Sequence, residues 1–172
     1  GTTIDDVNAV SEPERPWEQL PVERQRYALA LGLAHRFSDS TLRISERLYI
    51  DSWGTKASTT DFRFLYDVLK EFRIWPHLRF HVQSGADFYQ LAYVVTQTAD
   101  GPLIPQIRTG DRELGPLYSV TGGAGARYDF GERRSYGLQI NGDVVYSQFL
   151  DHLFVKQRFG FFGALAFDAE FE

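Results

Sequence analysis

Bulky apolar residues alternate with small or polar residues through two stretches of the chain, 117–130 and 136–149. The first, LYSVTGGAGARYDF, has an apolar row of Tyr118, Val120, Gly122, Ala124, Ala126, Tyr128 and Phe130. The second, YGLQINGDVVYSQF, has one of Tyr136, Leu138, Ile140, Val144 and Tyr146. A period of two residues predicts strands, and the GERRS segment between them predicts a turn. Because ordinary strands have about five or six residues, long strands with aromatic ends favour a transmembrane β-hairpin over a soluble sandwich.

The same alternation predicts five more strands, which makes seven in all. They are RYALALGLAHRFS (26–38), TLRISERLYIDSW (41–53), TTDFRFLYDV (59–68), HLRFHVQSGADFYQLAYV (77–94) and RFGFFGALAFDAEFE (158–172). Glu46 falls on the apolar row of its strand, where a subunit contact or a position near a rim would explain a charge. We expect connections at 38–40, 53–57, 70–76, 96–113, 131–135 and about 150–157, alternately short and longer.

This alternation of connection lengths predicts an orientation. Outer-membrane barrels have short periplasmic turns and longer outer loops, so the C-terminus is expected to be periplasmic and residues 1–23 to be an extracellular loop or tether. Residues 24–172 then form an antiparallel, up-and-down transmembrane β-barrel segment. Single-chain bacterial barrels have even strand numbers. We therefore expect the missing strands to come from an N-terminal part of a longer protein or from another chain.

Composition excludes several classes of protein. No apolar run approaches the about 18 residues of a transmembrane helix. The net charge of -5, with arginines interleaved with carboxylates, argues against a nucleic-acid partner. The chain has no cysteine, so neither a disulfide framework nor a thiolate metal site is expected. It begins at Gly1 without a secretory signal pattern, so the signal of an exported protein would lie on sequence before it.

Ionisable residues are concentrated on the row opposite the apolar one. An Arg or Lys that faced lipid at the midplane would cost about 2–4 kcal/mol, so this row is expected to face a polar lumen or other protein. Opposite charges could pair and plug a small lumen, or the row could line an aqueous pore in a larger barrel. The predicted lumen-facing residues are Arg43, Arg47, Asp51, Asp61, Arg63, Asp67, Arg79, Asp87, Arg127, Asp129, Asp143 and Asp168.

Catalytic and cofactor chemistry has little support in the pattern. The four histidines, His35, His77, His81 and His152, lack metal-ligand spacing, so neither a metal nor another cofactor is expected. A hydrolase could be imagined from Ser84, His81 and Asp87, but residues 81 and 84 differ in parity and point to opposite faces. We therefore expect no enzymatic activity. The glycines of TGGAGAR do not lie between a strand and a helix, and are interpreted as permitting curvature or close approach of neighbouring backbone.

Two segments resemble a known family. They are RYALALGLAHRFSDSTLRISERLYIDSWGTKASTTDFRF and LRFHVQSGADFY, which include Asp51, Trp53, Gly54, Gln83, Ser84, Ala86, Asp87, Phe88 and Tyr89. The chain thereby resembles the bacterial outer-membrane family known as domain of unknown function thirty-five seventy, most clearly over residues 1–130. The resemblance implies an outer-membrane barrel longer than this chain and no particular activity. Glu46 and the terminal Glu172 depart from the family pattern.

The first functional hypothesis is thus the C-terminal portion of a bacterial outer-membrane β-barrel, with a structural or porin-like transport role and outer-membrane lipid as its surroundings. The alternative is a soluble, lipocalin-like barrel that binds an apolar ligand, in which the apolar rows would face inward. An outer-membrane hydrolase is a third hypothesis. Alternation does not distinguish inside from outside; strand length, aromatic ends, connection lengths and the resemblance favour the first.

Overall fold

The computed structural model describes residues 17–99 and 101–170 of the chain. The strands are β1 (Arg26–Arg36), β2 (Ser40–Asp51), β3 (Lys56–Asp67), β4 (Phe72–Gln83), β5 (Thr96–Thr98), β6 (Gly101–Leu103), β7 (Leu117–Phe130), β8 (Tyr136–Phe149) and β9 (Gln157–Ala169). Single 3-10 turns occur at Arg112–Leu114 and Glu132–Arg134. Residues 1–16 of the predicted tether, together with Phe171 and Glu172, lie outside the described residues.

Seven long strands form one antiparallel sheet in the order β1-β2-β3-β4-β7-β8-β9. Apart from the passage from β4 to β7, each strand pairs with the next one along the chain, and β5 and β6 form a separate small hairpin within that passage. The prediction of an all-β, up-and-down arrangement of seven long strands is confirmed. Closure of this open sheet into a barrel stays a prediction.

The fourth strand corrects the sequence analysis. A strand was predicted at 77–94 after a turn at 70–76, but β4 begins at Phe72 and ends at Gln83. Pro76 therefore lies inside the strand. It has no amide hydrogen to donate, and the register with β3 is interrupted beside it, between the pairs Arg63↔His77 and Tyr66↔Ile74. Pairing with β7 continues through Pro76↔Ala124.

All the apolar rows meet on one face of the sheet, because the register aligns them from strand to strand. One such row runs Leu33, Ile44, Phe62, Leu78, Gly122, Val144 and Phe161. We call this the apolar face. Most of its bulky side chains are exposed, to 68% at Leu33 and 77% at Phe161. No layer of the described chain covers this face.

The opposite side, which we call the charged face, carries Arg43, Asp61, Arg79, Arg127 and Asp143. Buried residues concentrate at one end of the sheet instead of along its length. The buried apolar residues are Ala86, Tyr89, Leu117 and Phe149, and Phe149 is 0% exposed. Most of the area of both faces therefore has no packed layer over it, whereas a soluble sheet normally buries a face against another layer.

The connections divide between two rims. The turn rim holds 37–39, 68–71 and 131–135, and the loop rim holds 52–55, 84–116 and 150–156. The second connection, predicted as a longer one at 53–57, is as short as the turns of the opposite rim. Segment 17–25 also lies at the loop rim, where Gln19 and Arg108 exchange backbone hydrogen bonds of 3.0 and 2.9 Å. Among the residues the structure describes, no helix has the length and hydrophobicity required to cross a membrane.

Candidate functional site: the charged face

A shallow depression of about 600 Å³ lies on the charged face near the middle of the sheet. Side chains from β3, β4, β7, β8 and β9 line it, and they include Arg63, Trp75, His77, Arg127 and Asp143. Successive strands bring every second residue to the same side, so a charge on one strand lies beside charges on its neighbours. The depression is therefore polar and open.

Ion pairs connect several strands across this face, both adjacent strands and strands separated by one other. Arg79 Nε on β4 donates to Asp61 Oδ2 on β3 at 2.9 Å. Asp67, at the end of β3, accepts from Arg36 at 3.0 Å and from Arg73 at 2.5 Å. These pairs join β1, β3 and β4. Several are exposed, and single exposed pairs contribute about 0–1 kcal/mol each, so their main effect here is to neutralise charge locally.

Three glycines allow side chains to meet across an intervening strand. His77 on β4 and Asp143 on β8 flank Gly123 on β7, and His77 Nε2–H donates to Asp143 Oδ1 at 2.6 Å directly above this glycine. A Cβ at position 123 would lie 2.6 Å from the Gly142 carbonyl oxygen, 2.8 Å from the His77 ring and closer still to the Asp143 carboxylate. The pair therefore requires glycine at this position.

The other two glycines act in the same way. Gly125 of β7 lies beneath Trp75 and Asn141, and a Cβ there would overlap both side chains. Gly137 of β8 lies beneath a bidentate pair between Arg127 on β7 and Asp168 on β9, with N–O distances of 3.0 and 2.8 Å. The sequence interpretation expects neighbouring backbone to approach the TGGAGAR glycines. At Gly123 and Gly125 the approaching atoms are instead mainly side chains from the two flanking strands, and at Gly122 no atom approaches closer than 3.9 Å.

All but one of the predicted lumen-facing residues lie on the charged face. They are Arg43, Arg47 and Asp51 on β2, Asp61, Arg63 and Asp67 on β3, Arg79 on β4, Arg127 and Asp129 on β7, Asp143 on β8 and Asp168 on β9. Asp87 is the exception, because β4 ends at Gln83. Its carboxylate packs against Gly54 of the β2–β3 connection, and its amide donates to the Trp53 carbonyl at 2.9 Å.

Three arginines of β2 and β3 lie on the charged face without an ion pair. Among the ion pairs of the described chain, none includes Arg43, Arg47 or Arg63, and all three side chains are exposed. Arg43 and Arg63 are directly opposite each other in the β2–β3 register. We call these three residues the arginine patch.

At the loop rim, Asp51 organises the β2–β3 connection. Its Oδ2 accepts from Arg24 Nε at 2.8 Å and from the Tyr49 hydroxyl at 2.8 Å, and its Oδ1 accepts from the amides of Trp53 and Thr55. Arg24 also lies over the Trp53 ring, 4.3 Å from the centroid. The Asp-x-Trp-Gly sequence is therefore explained by its hydrogen bonds at the rim.

The long connection folds over the charged face at the loop rim. Gln83 donates to the carbonyls of Glu113 and Gly115 at 2.9 and 3.0 Å, and Glu113 pairs with Arg158 at 2.8 Å. Phe149 on the charged face is fully buried beneath Arg112 and Arg158. Residues 111–116 thus cover one end of the charged face and leave the apolar face bare.

We call Gln83, Ala86, Tyr89, residues 111–116, Phe149 and Arg158 the loop-rim cluster, and Tyr89 closes it. Its ring packs against Gly115, where a Cβ would lie 2.7 Å from the ring carbon Cζ, and its hydroxyl donates to the Asp151 carbonyl at 3.4 Å. Burial raises the pKa of Tyr89 above its ordinary value, and the nearby carboxylates of Asp151 and Asp111 raise it further. These surroundings therefore favour the neutral form of the Tyr89 side chain.

Glu46 lies on the apolar face, as its sequence parity predicts, and near the middle of β2. Its two carboxylate oxygens accept hydrogen bonds of 2.6 Å from Ser58 and Thr60 of β3. The expectation of a position near a rim is wrong. Its charge is instead accommodated by two hydroxyls that interrupt the apolar row of the neighbouring strand.

The residues of the hydrolase hypothesis do not form a catalytic arrangement. His81 Nδ1 is 2.8 Å from Thr59 Oγ1, whereas Ser84 Oγ accepts from the Lys56 amide at 3.0 Å, beyond the end of β4. No group of three potential metal ligands converges within residues 17–99 and 101–170. The His77–Asp143 pair was missed in the sequence, because its partners are 66 residues apart; the glycine between them was the available signal.

Fold and site together define an all-β protein built on one open sheet of seven antiparallel strands, with a charged face and a bare apolar face. Residues 2–149 match the family described as "Protein of unknown function (DUF3570)", and the chain belongs to that family. The family prediction made from the sequence is confirmed. No curated protein and no solved structure matches the chain.

Proposed function

We propose that this chain is the C-terminal portion of a β-barrel of the bacterial outer membrane, with a structural or transport role. The observation that carries the proposal is the bare apolar face opposite a charged face on long strands. Soluble monomers rarely expose contiguous apolar patches larger than a few hundred Å². Lipid provides the surroundings in which such a face is stable.

Strand length agrees with a membrane span. β4 has 12 residues, and at about 3.4 Å per residue it extends about 40 Å. A strand tilted by about 45° then crosses about 28 Å, close to the apolar band of about 25 Å in outer-membrane barrels. Tyr128, Phe130, Tyr136 and Phe167 cluster at the turn rim, and Tyr118, Tyr146 and Phe159 cluster near the loop rim. Aromatic groups at both ends of the strands correspond to the two interfacial girdles.

The position of the long connection favours the charged face as the interior. Residues 111–116 pack on this face through Gln83, Phe149 and Arg158. A loop that folds into the mouth of a barrel contacts lumen-facing residues, so the apolar face would then lie outside. The lipocalin-like alternative requires the reverse arrangement, with the apolar rows inside and the charged rows in water.

The direction of the edge strands limits how the sheet is completed. β1 and β9 both run from the loop rim to the turn rim, so joining them directly would create a parallel pair. Another copy in the same membrane orientation also presents only parallel edges. An odd number of additional strands restores antiparallel pairing and gives the even total of bacterial barrels. We propose that an N-terminal part or a different chain supplies them.

Orientation follows from the rims. The loop rim, with the 84–116 connection, is assigned to the extracellular side, and the turn rim and C-terminus are assigned to the periplasm. Fractionation of cells that express the full-length protein tests the proposal. The protein should sediment with outer membranes, resist extraction by alkaline carbonate and require detergent to stay dispersed. A full-length protein that remains monomeric in buffer without detergent contradicts it.

A further inference from the structure

Charge is distributed unevenly over the charged face. From β4 to β9, the arginines of the charged face form ion pairs with carboxylates, as in the pairs Arg79–Asp61 and Arg127–Asp168. The arginine patch on β2 and β3 has no such partner within the described residues. One region of the face is therefore locally neutral, and the other carries a concentrated positive charge.

Neighbouring residues leave the patch open. Arg43 and Arg47 are flanked on β1 by Ala34 and Ala30, which bring neither a carboxylate nor bulk. On the other side, Arg63 is opposite His77, whose Nε2 is already engaged by Asp143. The guanidinium groups therefore have space beside them. The register places one carboxylate diagonally from Arg43 and Arg47, that of Asp61 opposite Ser45, and Arg79 already pairs with it.

Two like charges directly opposite each other on adjacent strands are destabilising unless a counter-charge is present. A guanidinium presents planar paired donors that match the oxygens of a phosphate or carboxylate, and two of them close together can hold one such group. Arginines in a pore wall select for anions by the same interaction. The arrangement of Arg43 beside Arg63 is suited to a small anion.

We propose that the arginine patch is a binding site for small soluble anions that carry a phosphate or carboxylate group, and that it makes the interior of the barrel anion-selective. This inference rests on the proposed function, because it assigns the charged face to the lumen. Arg43 and Arg63 bind the anion, and Arg47 adds attraction along β2.

The test is calorimetric titration of the full-length, phospholipid-free protein in neutral detergent with inorganic phosphate at low ionic strength. The Arg43→Gln/Arg63→Gln variant should bind phosphate at least tenfold more weakly than the wild type. The matched control is Arg127→Gln/Asp168→Asn, which removes one cation and one anion and should bind as the wild type does. Far-UV circular dichroism verifies that each variant is folded.

The inference is overturned if the wild type and the Arg43→Gln/Arg63→Gln variant titrate alike, or if the wild type does not bind phosphate. Either result means that the patch is neutralised by another part of the protein or has no affinity for anions. Such a result does not affect the separate expectation, made under the proposed function, that the protein requires detergent to stay dispersed. Conversely, a detergent-independent monomer would contradict the barrel assignment whatever the titration shows.

Discussion

Replacement of Gly123 by alanine should destabilise the protein, because this position must leave room for a contact between β4 and β8. The new Cβ would meet the Gly142 backbone as well as His77 and Asp143, so a side-chain rotation alone cannot relieve the overlap. Overpacking of this kind costs about 1–3 kcal/mol. Loss of a hydrogen bond to a carboxylate costs about 1.5–3 kcal/mol.

The lower conformational freedom of alanine in the unfolded chain offsets about 0.4–1 kcal/mol. Together these contributions should lower the free energy of unfolding of Gly123→Ala by about 1.5–5.5 kcal/mol. The pair is well shielded, with side-chain exposures of 14% for His77 and 27% for Asp143, so solvent replaces little of the lost contact. The assay is urea unfolding of the full-length protein in lipid vesicles, followed by far-UV circular dichroism.

The adjacent Gly122 provides the control. It lies on the opposite face, and a Cβ there would meet only Leu78 Cδ1, at an ordinary distance of 3.9 Å. Gly122→Ala should match the wild type or gain up to about 1 kcal/mol. Equal unfolding midpoints for the two alanine variants would refute the assignment of Gly123 to the His77–Asp143 contact.

Other substitutions and a pH change test separate parts of the structure. Leu165→Arg on the apolar face of β9 should cost about 2–4 kcal/mol in lipid, whereas Ala164→Arg on the charged face should cost less than about 1 kcal/mol; equal losses in vesicle unfolding would contradict the face assignment. Glu46→Ala should lower the free energy of unfolding by leaving two hydroxyls without their acceptor, and replacing those hydroxyls as well should restore stability in the same assay. The pKa of Tyr89 is higher in the folded protein than in the unfolded chain, where it is about 10. The contribution of Tyr89 to the stability of the loop-rim cluster is therefore fully present below the unfolded pKa and is lost as pH rises through the folded pKa. Limited proteolysis of the 84–116 connection should accelerate above that pH, and Tyr89→Phe should weaken the acceleration; an identical pH profile in this variant would assign the transition to another group.

Sequence periodicity predicted the regular part of the fold well. The bounds of β7 and β8 match the predicted stretches, because both strands alternate without interruption and are separated by a short turn. Eleven of the twelve residues predicted from alternation lie on the charged face, since parity alone determines the face once a strand is correctly located.

The predictions failed where a local pattern competed with tertiary pairing. Pro76 was interpreted as the end of a turn, but the continuous register with β7 keeps it within β4. The alternation of apolar residues beyond Gln83 resembled a strand, yet Ala86 and Tyr89 are buried in the loop-rim cluster. For this reason Asp87 was wrongly placed in the row of charged-face residues.

The sequence pattern also did not predict contacts between two strands that are separated by a third strand. Which strands are second neighbours depends on the passage from β4 to β7, where a long connection could have led to several sheet orders. The hydrogen bonds of Glu46 could be identified only from the β2–β3 register, which places Thr60 directly opposite Glu46 and Ser58 two residues before Thr60 on β3. Parity showed that Glu46 was an exception without showing what accommodates it.

Thiol accessibility in the membrane tests the central claim most directly, because the chain contains no native cysteine. Single cysteines at Ala30 and Leu31 of β1, and at Ala164 and Leu165 of β9, sample the two faces at neighbouring positions. In the full-length protein reconstituted in lipid vesicles, a water-soluble maleimide should label positions 30 and 164 and leave 31 and 165 unlabelled. Labelling of 31 and 165 with protection of 30 and 164 would contradict a lipid-facing apolar surface.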